Sequence, residues 1–272
     1  IGEAVHPFSA EIGFASATRH LNLRSSLGDL DRVASDRLLA FLPDLGADGR
    51  FGVTFPKGRF DLAAEGMTLA GVDGDSLAAS GFWEGGVLAL EAFSAADYGG
   101  VGLDASLTAF GTLARPELSG AAHLAIGAAG APALDLLFDA VRAPSTVRAW
   151  LGRSLPAELD VQLAAPSGEG GQSLSVSGTA GAVQVTAEAA LGVGIARALE
   201  GSISLRLELA SDGGSLVRQL GISETALTTA GEPARAVAVV SGTAANSFEV
   251  TLRLEGGNDS LAFAGNVVAG DL

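Results

Sequence analysis

The stretch Ser76–Gly111, SLAASGFWEGGVLALEAFSAADYGGVGLDASLTAFG, decides the fold of this chain. From Val101 to Ala109 an apolar residue stands at every second position, and the residues between them are polar or glycine. This is the period of a strand with one buried face. Gly85-Gly86 and Gly99-Gly100 suit tight turns, because glycine adopts positive φ at no steric cost. The stretch therefore predicts three antiparallel strands joined by two glycine turns.

The same alternation continues on both sides of this stretch. It predicts further strands near residues 8–14, 20–24, 51–55, 60–64, 118–126, 159–163, 174–176, 183–187, 203–209, 237–239, 248–254 and 261–267. Apolar spacings near 3.6 residues predict short helices at 35–43, 134–141, 145–152 and 215–220. We expect a mainly β fold: a long antiparallel meander, curled into an open groove or forming a sandwich, with a few short helices inserted.

A break in composition at Gly127–Pro132, GAAGAP, divides this pattern. We expect a helix and β-meander block over residues 1–126, and a second block of helix and strands over residues 127–272 that continues the same sheet. No basic and apolar signal segment opens the sequence, and strand-like patterns reach both of its ends. The sequence is therefore expected to be a fragment of a longer protein.

Charge and hydropathy narrow the possible functions. The chain has 16 Lys and Arg against 31 Asp and Glu, a net charge of −15. This argues against nucleic acid as a partner, because phosphates are neutralised by clustered basic residues. The mean hydropathy of +0.38 is high, yet no apolar run approaches the roughly 18 residues of a membrane-spanning helix. Such a composition is expected of a sheet that covers both a core and a further apolar partner.

The sequence contains no pattern typical of catalysis. It has no cysteine, and its three histidines lack a second ligand at metal-binding spacing. Phosphate-binding GxxxxGK[ST] and nucleophile-elbow GxSxG motifs are both missing from the sequence. The acidic turn Gly71–Asp75, GVDGD, comes nearest to a calcium loop, but six or more oxygen ligands are needed and an ordinary turn is the better interpretation. We expect no enzyme, no metal site and no cofactor.

Two segments resemble the AsmA-like family of bacterial envelope proteins. One is the strand GVLALEAFSA at 86–95, followed by an aromatic residue, Gly-Gly and a second alternating strand. The other is Leu30–Gly49, LDRVASDRLLAFLPDLGADG, which is similar to a short helix and a break that precede the sheet in that family. The resemblance covers about residues 27–126 and is one of pattern, without fixed chemical motifs.

The resemblance implies a function that alternation alone does not specify. AsmA-like proteins are anchored in the inner membrane by an N-terminal helix, with their bulk in the periplasm. They are associated with phospholipid movement between the inner and outer membranes through an apolar β-groove, and so with outer-membrane biogenesis. By this resemblance the chain is expected to be a periplasmic lipid-transfer module whose partners are phospholipid acyl chains and other envelope proteins.

The resemblance also implies which residues would contact lipid, since they are the apolar members of alternating strands. They are Val101, Leu103, Leu107, Val183, Val185, Ile203, Leu205, Leu207, Phe248, Val250, Leu252, Leu261 and Phe263. Alternation by itself fits a closed sandwich equally well. The competing function is therefore a structural or adhesive β-domain that binds protein or glycan, although a passenger solenoid would show repeats of roughly 20–30 residues, and none is found in the sequence.

Overall fold

The computed structural model describes residues 8–30, 33, 50–69, 71–112, 115–127, 132–140, 148–149, 152–221, 231–243, 245–257 and 259–268. Within these ranges fifteen strands form one sheet, so the fold is mainly β as predicted. The chain divides into two compact units. The first consists of residues 1–123 and 131–136, and the second of residues 124–130 and 137–272.

Most elements of the N-terminal half lie in the first unit, although β8 and α2 each continue into the second. The strands are β1 Phe8–Ala15, β2 His20–Leu30, β3 Lys57–Leu69, β4 Val72–Gly74, β5 Leu77–Glu84, β6 Val87–Tyr98, β7 Val101–Thr112 and β8 Arg115–Ile126. The helices are α1 Arg50–Thr54 and α2 Pro132–Ala140.

The remaining elements belong to the second unit. The strands are β9 Ala157–Leu163, β10 Gln172–Ala180, β11 Val183–Leu191, β12 Ser202–Asp212, β13 Pro233–Thr243, β14 Ser247–Gly256 and β15 Asp259–Val268. A 3₁₀ helix spans Ile195–Glu200, and α3 spans Gly213–Leu220.

The strand order follows the chain from β1 to β15, except that β3 pairs with both β4 and β5. Every described register is antiparallel apart from one: β2 pairs with β3 in parallel, with Leu23 beside Phe60. A parallel pair cannot be joined by a tight turn and needs a crossover connection. Here the connection runs from residue 31 to residue 56 and includes α1. The predicted meander is thus interrupted at this one pair.

The stretch Ser76–Gly111 folds as predicted. It contains β5, β6 and β7, and Gly85, Gly86, Gly99 and Gly100 all have positive φ at the two turns. The strand predicted at 51–55 is wrong, because residues 50–54 form α1.

Two of the four predicted helices can be compared with the structure. Those at 134–141 and 215–220 are confirmed as α2 and α3. The predicted helix at 35–43 lies outside the described residues. So does most of the one at 145–152.

The core of the first unit is aromatic. Leu21, Phe60 and Trp83 are all buried, and the rings of Phe60 and Trp83 stack with centroids 6.5 Å apart. The indole N–H of Trp83 donates a 2.7 Å hydrogen bond to the carbonyl oxygen of Phe55. This bond links the residue that follows α1 to the sheet, and it satisfies the polar group of a buried tryptophan.

The core of the second unit lies beneath α3. The helix begins at Asp212, whose carboxylate accepts a 2.9 Å hydrogen bond from the backbone N–H of Ser215, and it ends at Gly221 in the left-handed conformation. Leu216 and Val217 point into the sheet with exposed fractions of 0% and 1%. The residues that they join in the core are Ala157, Ala180, Val183, Val185, Leu209, Ala234, Ala236 and Leu254.

Candidate functional site

The registers of the second unit place apolar side chains on one face of seven consecutive strands. Residues that pair across two strands share a face. Leu205 pairs with Ala189 on one side and Val240 on the other, and Val240 pairs in turn with Val250. The same continuity runs along the neighbouring rows from β9 to β15. The unit therefore has one continuous apolar face.

One end of this face is covered by α3. Val183 and Val185 lie there, with exposed fractions of 1% and 8%, in the same buried cluster as Leu216 and Val217. Both were predicted to contact a ligand. In the structure they are core residues, because the helix occupies the space above them.

The other end is closed by the segment around the 3₁₀ helix. The side chain of Gln172 is buried there and has both of its polar atoms satisfied. Its Nε2 donates to the carbonyl of Ala164 at 2.6 Å, and its Oε1 accepts from the backbone N–H of Ile195 at 2.7 Å. Leu191, on the next strand, is buried as well. The apolar face is therefore bounded at both ends by local packing.

Between these two ends the apolar side chains remain partly exposed, and Phe263, at 61%, is the most exposed of them. We call this region the uncovered apolar surface. It consists of Val161, Leu163, Leu174, Val176, Ala187, Ala189, Ile203, Leu205, Leu207, Ala238, Val240, Phe248, Val250, Leu252 and Phe263. At about 4.8 Å between strands and about 3.4 Å per residue, it extends about 29 Å across the strands and about 14 Å along them. An apolar patch of this extent is commonly functional.

The opposite face of the same strands is polar. Ser204 and Arg206 of β12 are exposed on it, and Glu208 accepts a hydrogen bond from Arg235 of β13. That hydrogen bond, with the nearby charges of Arg235 and Arg206, holds the pKa of Glu208 below its ordinary value. Odd-numbered residues of β12 lie on the apolar face and even-numbered residues lie on the polar face. Substitutions at adjacent positions of β12 therefore alter opposite faces of the sheet.

The structure brings most of the predicted site residues of this unit together. On β12 these residues are Ile203, Leu205 and Leu207, and on β14 they are Phe248, Val250 and Leu252. The strand β13 lies between β12 and β14, and all six residues face the same side of the sheet. Phe263 pairs with Leu252, and Leu261, which is 53% exposed, pairs with the buried Leu254.

The three predicted residues of β7 belong to the first unit. Leu107 is 41% exposed and pairs with Leu90, while Leu103 pairs with Ala95. Val101 is buried and pairs with Tyr98. These residues lie on one face of their own sheet region, and they are described separately from the surface in the second unit.

Sequence reasoning missed part of the surface on β13. The valines that marked this strand in the sequence were Val237 and Val239, and they lie on the polar face, opposite Arg253 and Thr251. Ala238 and Val240 occupy the apolar face instead. The segment 236–240, AVAVV, is apolar at every position. Its sequence therefore does not show which of its residues lie on the apolar face of the sheet. Val161, Leu163, Leu174 and Val176 also lie on the uncovered apolar surface. They were predicted as strand residues from their alternation but were not among the predicted lipid contacts.

The polar face of the first unit holds a cavity. The cavity has a volume of about 550 Å³, and its lining contains both acidic and basic side chains: Glu11, Arg24, Arg59, Asp61 and Glu91. Arg59 forms a 2.5 Å ion pair with Glu91, and Arg24 lies 3.6 Å from Asp61. Because each guanidinium already faces a carboxylate, the cavity does not present a concentration of one charge to a ligand.

Three observations concern the metal site, the acidic turn and the membrane-spanning segment considered in the sequence. Within them, no group of three or more His, Asp or Glu residues is arranged to hold a metal ion. In the acidic turn, Asp73 accepts a 2.7 Å hydrogen bond from the hydroxyl of Thr68. Among the helices of the described ranges, none combines the length and hydropathy needed to cross a bilayer.

Searches with the chain find no matching family model, no matching curated protein and no matching solved structure. The resemblance to AsmA-like proteins therefore stays a prediction from sequence.

Proposed function

We propose that the second unit binds the acyl chains of phospholipids on its uncovered apolar surface. The observation that carries this proposal is that fifteen apolar side chains on seven neighbouring strands remain partly exposed, while α3 covers only one end of the same face. Covering such a surface with an apolar partner is favourable, because each Å² of apolar area removed from water contributes about 25 cal/mol.

An acyl chain suits the chemistry of this surface. The surface residues are aliphatic apart from Phe248 and Phe263, so their side chains offer no hydrogen bonds and require none of a ligand. Each methylene group transferred from water to such a surface gains about 0.8 kcal/mol. The charged headgroup stays in solvent, because transferring an unpaired charge to an apolar site is costly.

The resemblance to AsmA-like proteins supports a wider role for this binding. We propose that the chain is a periplasmic module of an inner-membrane-anchored protein, and that it shields acyl chains as phospholipids pass between the inner and outer membranes. The module is passive and does no chemistry on the lipid. Direction of transport comes from partner proteins in the envelope.

The test compares substitutions on the two faces of β12. Leu205→Glu places a charge in the middle of the uncovered apolar surface, where the side chain is partly exposed and the fold can tolerate it. Ser204→Glu places the same charge on the preceding residue, which is exposed on the polar face. A second matched pair is Leu252→Glu and Thr251→Glu on β14.

Each protein is purified from bacteria and examined by native mass spectrometry, followed by organic extraction and phospholipid analysis of the same sample. We expect bound phospholipid in the wild type, Ser204→Glu and Thr251→Glu, and its loss in Leu205→Glu and Leu252→Glu. Circular dichroism checks that all variants remain folded. Wild-type protein that carries no lipid, even after incubation with phospholipid vesicles, would refute the proposal and favour the structural or adhesive alternative.

A further inference from the structure

The uncovered apolar surface is much shorter along its strands than across them. On β12 it runs from Ile203 to Leu207, and the next residue on the same face, Leu209, is buried. Along the strands the surface therefore measures about 14 Å. Across the strands it runs over all seven from β9 to β15, which gives about 29 Å.

Packed residues limit the shorter dimension at both ends. Towards α3, Val185 and Leu209 are buried in the same cluster as Leu216. Towards the 3₁₀ helix, Leu191 and Gln172 are buried, and the Gln172 side chain is hydrogen-bonded through both of its polar atoms. These limits lie on β10, β11 and β12, inside the strand order, so a ligand cannot extend beyond them along these strands.

The longer dimension is continuous, because two rows of paired side chains cross the strands. The first row runs from Val161 on β9 through Leu207 on β12 to Phe263 on β15. The second runs from Leu163 on β9 through Leu205 on β12 to β14. Every residue of both rows is apolar. A chain of methylene groups can therefore follow either row without meeting a polar side chain.

The length of an acyl chain decides between the two directions. An extended chain of single bonds advances about 1.2 Å per bond, since the three bonds of an extended peptide unit advance about 3.5 Å. A chain of sixteen carbon atoms is then about 18 Å long. This is longer than the surface is along its strands and shorter than the surface is across them.

We infer that acyl chains lie across the strands of this surface, along the two rows, an inference that rests on the proposed function of lipid binding. The site then selects long-chain lipids. Each methylene group that is added up to about sixteen carbon atoms gains contact with a further part of a row. Along the strands, the gain would end at about twelve carbon atoms, because about 14 Å is then filled.

The strand β12 has a special position in this arrangement, because it is the fourth of the seven strands. A chain about 18 Å long covers nearly four intervals of about 4.8 Å. Wherever it lies between β9 and β15, it therefore crosses β12. A ten-carbon chain is about 11 Å long and fits on the strands at either side of β12.

The first experiment measures chain-length preference in delipidated wild-type protein. Lysophosphatidylcholines with acyl chains of ten, twelve, fourteen and sixteen carbon atoms compete in pairs, below their critical micelle concentrations, and native mass spectrometry gives the ratio of the two complexes. We expect each added pair of methylene groups to raise the affinity about fourfold, since an open sheet covers about half of the chain. The increase should continue to sixteen carbon atoms.

The second experiment interrupts both rows at β12 with the double variant Leu205→Glu and Leu207→Glu. The control is the double variant Ser204→Glu and Thr251→Glu, which adds the same two charges to exposed residues of the polar face. The ten-carbon and sixteen-carbon lipids compete for each protein. We expect the control to keep the wild-type preference of about sixtyfold for the longer chain, and the β12 variant to fall below about tenfold. Circular dichroism checks that both variants are folded.

The outcomes separate the orientation of the chain from lipid binding itself. A wild-type series that stops rising at about twelve carbon atoms would overturn the orientation and leave the proposed function standing. An equal loss of both lipids in the β12 variant would also overturn it. Wild-type protein that binds no lipid of any chain length would overturn the orientation and the proposed function together.

Discussion

The helix α3 covers one end of the apolar face in the second unit. The variant Leu216→Ala tests how much this packing contributes to the free energy of unfolding. The Leu216 side chain is completely buried and belongs to the cluster that contains Val183, Leu209 and Leu254. Truncation to alanine removes three carbon atoms, and at about 0.8 kcal/mol each the lost transfer free energy is about 2.4 kcal/mol. The cavity that remains raises the cost to about 3–4 kcal/mol.

This loss is large beside the total stability of a domain, which is about 5–15 kcal/mol. Urea unfolding followed by circular dichroism measures the free energy of unfolding, and hydrogen exchange with mass spectrometry locates the effect. We expect protection to fall in β11 and β12, which pack beneath the helix. Protection in β1 to β3 of the first unit stays unchanged.

Val53→Ala is the matched control, because this apolar residue also lies in a short helix but is 61% exposed. It should cost far less than Leu216→Ala. If the free energy of unfolding of Leu216→Ala fell by less than about 1 kcal/mol, Leu216 would not be a core residue and the division of the apolar face into covered and uncovered parts would fail.

Two further predictions concern β10 and the start of α3. Gly178 has φ +150°, and a Cβ atom there would collide with the carbonyl oxygen of Glu158 on β9, so Gly178→Ala should lower the free energy of unfolding by more than about 1 kcal/mol. Gly168→Ala, at a position with open space, should have little effect on the same urea curve. The backbone N–H of Ser215, hydrogen-bonded to Asp212, holds the pKa of this carboxyl below its ordinary value. The stabilisation is therefore complete above the ordinary pKa and is lost as the pH falls through the lowered one. Asp212→Ala should melt below the wild type at neutral pH, and the difference should shrink in acid, whereas Asp212→Asn should keep the cap. A difference that keeps its full size below both pKa values would contradict this assignment.

Local alternation predicted the strands well where one face is polar. The β12 pattern of Ile203, Leu205 and Leu207 between polar residues is preserved in the burial of the strand. The turns at Gly85 and Gly99 were predictable for a similar reason, since positive φ is a property of the glycine itself. These features depend on residues close together in the chain.

The errors occur where the local pattern is ambiguous. The segment 51–55, FGVTF, alternates like a strand but forms most of α1, and the following Phe55 carbonyl accepts the hydrogen bond of Trp83, 28 residues away. The parallel pairing of β2 and β3 was not predicted either. Alternation is the same in parallel and antiparallel strands, so it holds no information on direction.

The sequence by itself determined that this protein is a sheet with one apolar and one polar face, because side chains on a strand alternate between faces whatever lies around it. Only the tertiary structure decided which part of the apolar face is covered. Val185 and Leu205 have the same pattern in sequence, yet the first is buried near Leu216 and the second is partly exposed. Pairing with β12 and β14 likewise decided which residues of β13 lie on the apolar face. Burial of this kind depends on packing between residues far apart in the chain, and a local period does not encode it.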